Sequence, residues 1–239
     1  MSSIAVLINV CNHREQALEC LAGCYRQFDT LAAQDESLSF SIYVHDDAGT
    51  DGLPEAVRER FPQVHLMHSD TVQYWCTGLR MLWEEAARED FDFYIWLDYN
   101  LRLDEGCFAR LLETSAFLRH KALLAGSVRD VSGSLRYGGR TRKGVLIEPD
   151  ATIPVPCRFL DGHLVLVPRA CFQTLGFIDT RFLRVMGDYD YSNKAFKAGV
   201  PRLVAPGTLA QTARSFSVPV WKDPQYSLVE RIYSFFYRK

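Results

Sequence analysis

No stretch of this 239-residue sequence approaches the run of about 20 apolar residues that a bilayer-spanning helix needs. Positive charge is not in excess either: the formal charge is −2, which leaves no electrostatic case for a nucleic-acid binder. No Gly-x-Gly-x-x-Gly follows the first apolar run, which argues against a dinucleotide-binding turn, and no Walker phosphate loop occurs. There is no Gly-x-Ser-x-Gly nucleophile elbow, and the six histidines show no metal-ligand spacing. Cys-x-x-Cys is missing as well. The seven cysteines are an odd number and mostly sit in apolar segments, which fits reduced, packed thiols of a cytoplasmic protein better than a disulfide framework. The opening MSSIAVLINV has no basic region and runs straight into apolar residues, so no secretory leader is expected.

What is present is a core-forming α/β pattern. Apolar residues make up 48% of the chain, enough for a sizeable core. Short apolar runs at 4–10, 40–44, 64–67 and 91–97 read as strands. Between them, Ala17, Leu18, Leu21, Cys24, Tyr25 and Phe28 form a helical stripe. Pro54 suits the first turn of a second helix, and Leu79, Leu82, Trp83 and Ala86 mark a third. This alternation predicts a parallel sheet with helices on both faces. After a helix around Phe108, Leu111 and Leu112 and a strand at 123–128, the character changes. Glycines, prolines and the cations Arg136, Arg140, Arg142 and Lys143 suggest hairpins and loops. A broken strand at 159–167 and helices from about 169 and 188 follow. One domain is expected over 1–239, with a strand–helix half at 1–104, a looser half at 105–224 and an aromatic C-terminal helix at 225–239.

Three acidic clusters stand out, at 46–51, 98–100 and 188–190. The first two directly follow predicted strands, where open α/β sheets place their ligands. The most telling is 91–103, FDFYIWLDYNLRL, in which a buried run ends in Asp98 and Asn100. Against a functional reading, Asp and Gly are ordinary turn residues, and Asp188 and Asp190 suit any helix N-terminus.

Five segments in order resemble the family 2 glycosyltransferases, which have the GT-A fold. INVCNHRE resembles their opening strand and turn, and VHDDAGTDG their nucleotide-binding turn. IWLDYNLRL stands where they carry a metal-binding Asp-x-Asp. FLDGHLVLVPRACFQTLGFIDTRF resembles their acceptor-side segment, and MGDYDYSNKAFKAG the segment with the catalytic acid. The likeness covers roughly residues 4–205. It implies a GT-A-like, mostly parallel sheet flanked by helices, with a smaller acceptor-side region in the second half. It also implies an inverting enzyme that moves a sugar from a nucleoside-diphosphate sugar to an acceptor hydroxyl, in cell-surface polysaccharide or lipopolysaccharide synthesis.

The resemblance assigns Asp46 or Asp47 to the nucleotide base, with Asn12 and Arg14 beside it. Asp98 and Asn100 would face a divalent cation, Mn²⁺ or Mg²⁺, that bridges the donor diphosphate. Asp188 would be the general base, with Gly162, His163 and Asp190 on the acceptor side. Asn100 departs from the family's second aspartate. A neutral oxygen there predicts weak metal binding without nucleotide. The implied acceptor is a saccharide or lipid-linked saccharide. Residues 225–239 suit peripheral membrane contact or a homodimer interface. The alternatives are a non-catalytic relative that binds a sugar nucleotide or a partner protein, which Asn100 favours, and a nucleotidyltransferase, for which CNHREQ is a poor phosphate loop.

Overall fold

The computed structural model describes residues 2–213, 225 and 227–231. The first half runs β1 (Ser3–Val10), α1 (Arg14–Ala32), β2 (Ser39–Asp47), α2 (Leu53–Arg60), β3 (His65–Ser69), α3 (Tyr74–Ala86) and β4 (Phe93–Leu97). Strand β1 takes the centre of this half because it is apolar on both faces. Ile4, Val6, Ile8 and Val10 enter one apolar cluster, while Ala5 and Leu7 enter the other. Strand β4 repeats the division, with Phe93, Ile95 and Leu97 on the first face and Tyr94 and Trp96 on the second. This is the two-residue period of a strand covered from both sides. Strand β1 pairs in parallel with β2 on one side and with β4 on the other, and β3 pairs in parallel with β2.

The second half adds β5 (Leu101–Leu103), α4 (Cys107–Phe117), β6 (Leu123–Asp130), β7 (Leu135–Tyr137), β8 (Gly139–Arg140), β9 (Val155–Pro156) and β10 (Phe159–Leu160). It ends with β11 (Leu164–Pro168), α5 (Arg169–Leu175), α6 (Gly187–Lys197) and β12 (Arg202–Thr212). A ten-stranded sheet joins both halves in the order β3-β2-β1-β4-β11-β6-β12-β5, with β7 on β6 and β9 on β12. Strand β11 is antiparallel to both β4 and β6, so the sheet is parallel in its first half and mixed beyond β4.

Strand β12 is not evident from the sequence, because Pro206-Gly207 reads as a loop. In the fold the strand shifts register around those residues and continues, pairing with β6, β5 and β9. A bulge accommodates an interruption that would stop a regular strand.

On the second face, Trp83 of α3 sits among Tyr94, Trp96, Phe172, Phe177 and Tyr191, with ring centroids 5.0–5.7 Å away. Such pairs contribute about 0.5–1.5 kcal/mol each beyond burial. They bind α3, α5 and α6 to the sheet and so fix the two helices that flank the site. Among the described residues no helix is long and apolar enough to cross a membrane. The expected C-terminal helix at 225–239 falls mostly outside the described residues.

Candidate active site

Because β1, β2 and β4 run parallel, their carboxyl ends open at one edge of the sheet. A cleft of about 580 Å³ lies there. Asn9, Cys11 and His13 line it at the end of β1, Asp47 at the end of β2, and Asp98, Tyr99 and Asn100 at the end of β4. Tyr74 and Trp75 contribute from α3, Gly162 and His163 from the turn before β11, and Asp188 and Tyr189 from α6. All three acidic segments therefore reach one cavity.

The two neighbouring aspartates of β2 part company. Asp47 lines the cleft, and its Oδ1 accepts a hydrogen bond from Gln73 N at 2.5 Å, tying β2 to the start of α3. Asp46 is fully buried on the opposite face, where its Oδ2 is 2.8 Å from His68 Nδ1. Strand alternation forces this split, so of the two Asp47 is the one that faces the cavity.

Asn12 and Arg14 lie beside the cleft, in the turn after β1 and at the start of α1. Neither lines the cleft. Asn12 Oδ1 accepts from Thr50 N at 2.8 Å, and Arg14 N donates to Asp51 Oδ2 at 2.7 Å. They lace the turn after β1 to the turn after β2. Their neighbours Cys11 and His13 face the cavity instead, with His13 stacked on Tyr99 at 4.8 Å.

Beneath this wall His45 is fully buried, 2.5 Å from Asn9 Oδ1 and 2.7 Å from Ser69 Oγ. Burial pushes its pKa down, against the upward pull of Asp47 and Asp46. Helix α3 crosses this pair at Gly78, where a Cβ would stand 2.0 Å from Asn9 Oδ1. Gly78→Ala is therefore expected to destabilise the protein by about 1–3 kcal/mol. Denaturant unfolding measures this, and unchanged stability would show that the helix can retreat from the sheet.

On the opposite wall Asp188 occupies the first turn of α6. Its Oδ2 accepts from Gly162 N at 3.0 Å and its Oδ1 from Tyr189 N at 2.8 Å. Burial pushes its carboxyl above the ordinary range, the Gly162 and Tyr189 amides pull it back, and nearby Asp161 pushes it up again. Asp190, two residues on, does not line the cleft, because the helix turns it away.

Gly162 is fitted tightly: a Cβ there would stand 2.3 Å from Trp75 Cη2. The turn that carries it is braced by Asp161, a residue the sequence did not single out. Asp161 Oδ1 is 2.7 Å from Arg140 Nε, and its Oδ2 accepts from Gly138 N at 3.2 Å. Arg136 is likewise engaged with Asp130, so neither of these two cations lines the cleft.

Asp98 stands at the end of β4. Its N donates to His163 O at 2.8 Å, and its Oδ2 lies 3.6 Å from His163 Nε2. Asn100 Oδ1 accepts from Thr212 Oγ1 of β12 at 3.1 Å. Among the described residues no group of three or more His, Cys, Asp and Glu side chains forms a metal centre. One carboxylate with an imidazole nearby fits a hard divalent cation when a diphosphate supplies the remaining oxygens.

No family model matches the chain. It is 24% identical to N-acetylglucosaminyl-diphospho-decaprenol L-rhamnosyltransferase from two strains of Mycobacterium tuberculosis, over 66% of this chain and 62% of the relative. The chain thus spans a little under two thirds of the length of these relatives. Among solved structures it resembles GalNAc-T7 with UDP, GalNAc and Mn²⁺, with a TM-score of 0.65 at 15% identity, over 91% of this chain and 44% of that one. It also resembles residues 1–349 of S. aureus TarS, with a TM-score of 0.62 at 14% identity, over 89% of this chain and 60% of that one. The same TarS segment in complex with UDP-GlcNAc gives a TM-score of 0.62 at 13% identity, over 91% of this chain and 60% of that one. The strand order, the cleft at the carboxyl edge and these likenesses agree: the chain has the GT-A fold of nucleotide-sugar glycosyltransferases that its resemblance to family 2 implied.

Proposed function

We propose that this chain is an inverting glycosyltransferase. It moves a sugar from a nucleoside-diphosphate sugar to a hydroxyl of a saccharide or lipid-linked saccharide, in the synthesis of a cell-surface polysaccharide. The observation that carries this is the placement of Asp98 and Asp188 on two walls of one cleft at the carboxyl edge of the parallel strands. The named relative's lipid-linked acceptor and the UDP-GlcNAc bound by TarS support the substrate classes.

In this reading Asp47 and the end of β1 receive the nucleoside. Tyr74 and Trp75 offer aromatic faces to the sugar. Asp98 would hold a divalent cation, which supplies charge neutralisation for the departing diphosphate. Asp188 takes the proton from the acceptor hydroxyl as that oxygen bonds to the anomeric carbon. On the opposite side of that carbon the bond to the diphosphate oxygen breaks, which inverts the configuration. The two backbone amides that clamp Asp188 keep its carboxylate aimed, and burial makes it a stronger base than an exposed aspartate. The reaction places the protein at the cytoplasmic face of a membrane, where nucleotide sugars meet lipid-linked acceptors.

A panel of sugar nucleotides tests the reading, with Mn²⁺ and either saccharide or polyprenyl-linked acceptors, by release of nucleoside diphosphate and mass of the product. Thermal shift gives the binding half: a ligand at 100 times its dissociation constant stabilises by about 2.7 kcal/mol. Binding of a nucleotide with no transfer from any donor would count against catalysis.

The division between Asp46 and Asp47 adds a sharper test. Asp47→Ala is expected to weaken nucleoside diphosphate binding. Asp46→Ala should cost about 1–3 kcal/mol of stability, since it removes the buried hydrogen-bond partner of His68, and leave affinity of the folded protein unchanged. Calorimetry beside denaturant unfolding separates the two, and the reverse pattern would reverse the assignment.

A further inference from the structure

We infer that His163 is the second protein ligand of the divalent cation, through Nε2, in place of the second carboxylate that the chain lacks. This rests on the glycosyltransferase reading. Asp98 and His163 face each other across the ends of adjacent antiparallel strands. Leu97 is in register with Leu164, and Asp98 N donates to His163 O at 2.8 Å. The sheet therefore sets the separation of the two side chains, and Nε2 stands 3.6 Å from Asp98 Oδ2. Two ligand atoms each about 2.1 Å from one cation stand ~3.0–3.6 Å apart for ligand angles of about 90–120°. Tyr137 lies flat against the imidazole at 3.5 Å and 12°, which fixes the plane of the ring. Asp98 and His163 both line the cleft.

Asn100, the sequence-based candidate, is a tether in this arrangement. Its amide oxygen takes the hydroxyl of Thr212 and so joins the end of β4 to β12. The adjacent Gly162 N holds the Asp188 carboxylate. Two consecutive residues thus serve the two sides of the reaction, Gly162 positioning the base and His163 the cation. A mixed nitrogen and oxygen donor set favours Mn²⁺ or Co²⁺ over Mg²⁺ and Ca²⁺.

Pulsed electron paramagnetic resonance of Mn²⁺ bound to the full chain tests this, with UDP, GDP and dTDP in parallel arms. A directly bonded nitrogen is expected in the wild type, and its signature should change when histidines carry ¹⁵N. His13, the other histidine lining the cleft, is excluded if the ¹⁵N signature persists in His13→Gln. That arm keeps the test independent of how well any His163 variant folds. In His163→Gln the nitrogen signal should vanish and Mn²⁺ affinity should fall by at least about 10-fold. Asn100→Ala should keep the nitrogen signal. Mn²⁺ bound with a diphosphate but with no histidine nitrogen in the wild type would overturn the inference and leave the glycosyltransferase reading standing. Failure of the wild type to bind Mn²⁺ with any of the three diphosphates would overturn both.

Discussion

Asp188→Asn is expected to lower sugar transfer by about 100-fold or more while donor affinity stays close to wild type. A sugar hydroxyl is a poor nucleophile, and among the described residues Asp188 is the cleft aspartate that α6 carries, opposite Asp47 and Asp98 at the ends of the parallel strands. The amide keeps the shape of the side chain and loses the basic oxygen. Asp190→Asn, which alters a group outside the cleft, should be much milder. The pH profile gives a second reading. Burial raises the Asp188 pKa above the ordinary value, so the ionised base is present above that raised pKa and is lost as pH falls through it. The acid limb of kcat/KM should therefore lie above the ordinary aspartate value of about 4. Near-normal transfer by Asp188→Asn would remove it as the base. An acid limb at or below the ordinary value would show that its two amide hydrogen bonds outweigh desolvation.

Asp98→Ala is expected to abolish measurable Mn²⁺-dependent binding of the nucleoside diphosphate. In the proposed reading Asp98 is the one carboxylate that holds the cation, since no group of three or more acidic, histidine or cysteine side chains that could hold a metal occurs among the described residues. Removing it leaves the cation with neutral donors and the diphosphate alone. The loss in metal affinity should be at least about 100-fold, the upper end of what even indirect perturbations of a metal site cost. Titration calorimetry in the presence of diphosphate measures it. In the wild type, cation and diphosphate should each strengthen binding of the other, because each supplies ligands that the other lacks. Tight Mn²⁺ binding without nucleotide that survives Asp98→Ala would move the metal elsewhere.

The parallel half of the sheet was legible because its strands are apolar on both faces. An unbroken run such as Phe93–Leu97 has few other uses in a chain of this size. The acidic clusters at 46–51 and 98–100 were legible for a related reason: polar residues that end a buried strand must emerge at its edge. Less legible was β12, where Pro206-Gly207 carries the signature of a loop and only pairing with β6, β5 and β9 makes it a strand.

Within the site, hydrophobic period and the order of elements, which are local properties of the chain, were enough to bring the ends of β1, β2 and β4 to one edge. The turn before β11 and the start of α6 joined them only through the ordered resemblance to family 2. Which side chain in each segment faces the cavity was decided only by the tertiary structure. Asp47 rather than Asp46, and His13 rather than Asn12 or Arg14, are choices between residues one position apart. A strand sends neighbours to opposite faces, and a helix turns by about 100° per residue. The outcome therefore depends on register against the rest of the sheet. The charge state of Asp188 and the approach of His163 to Asp98 have the same origin. The first depends on burial and on contacts with Gly162 and Asp161, more than 25 positions away, and the second on pairing between β4 and β11, which joins residues more than 60 positions apart.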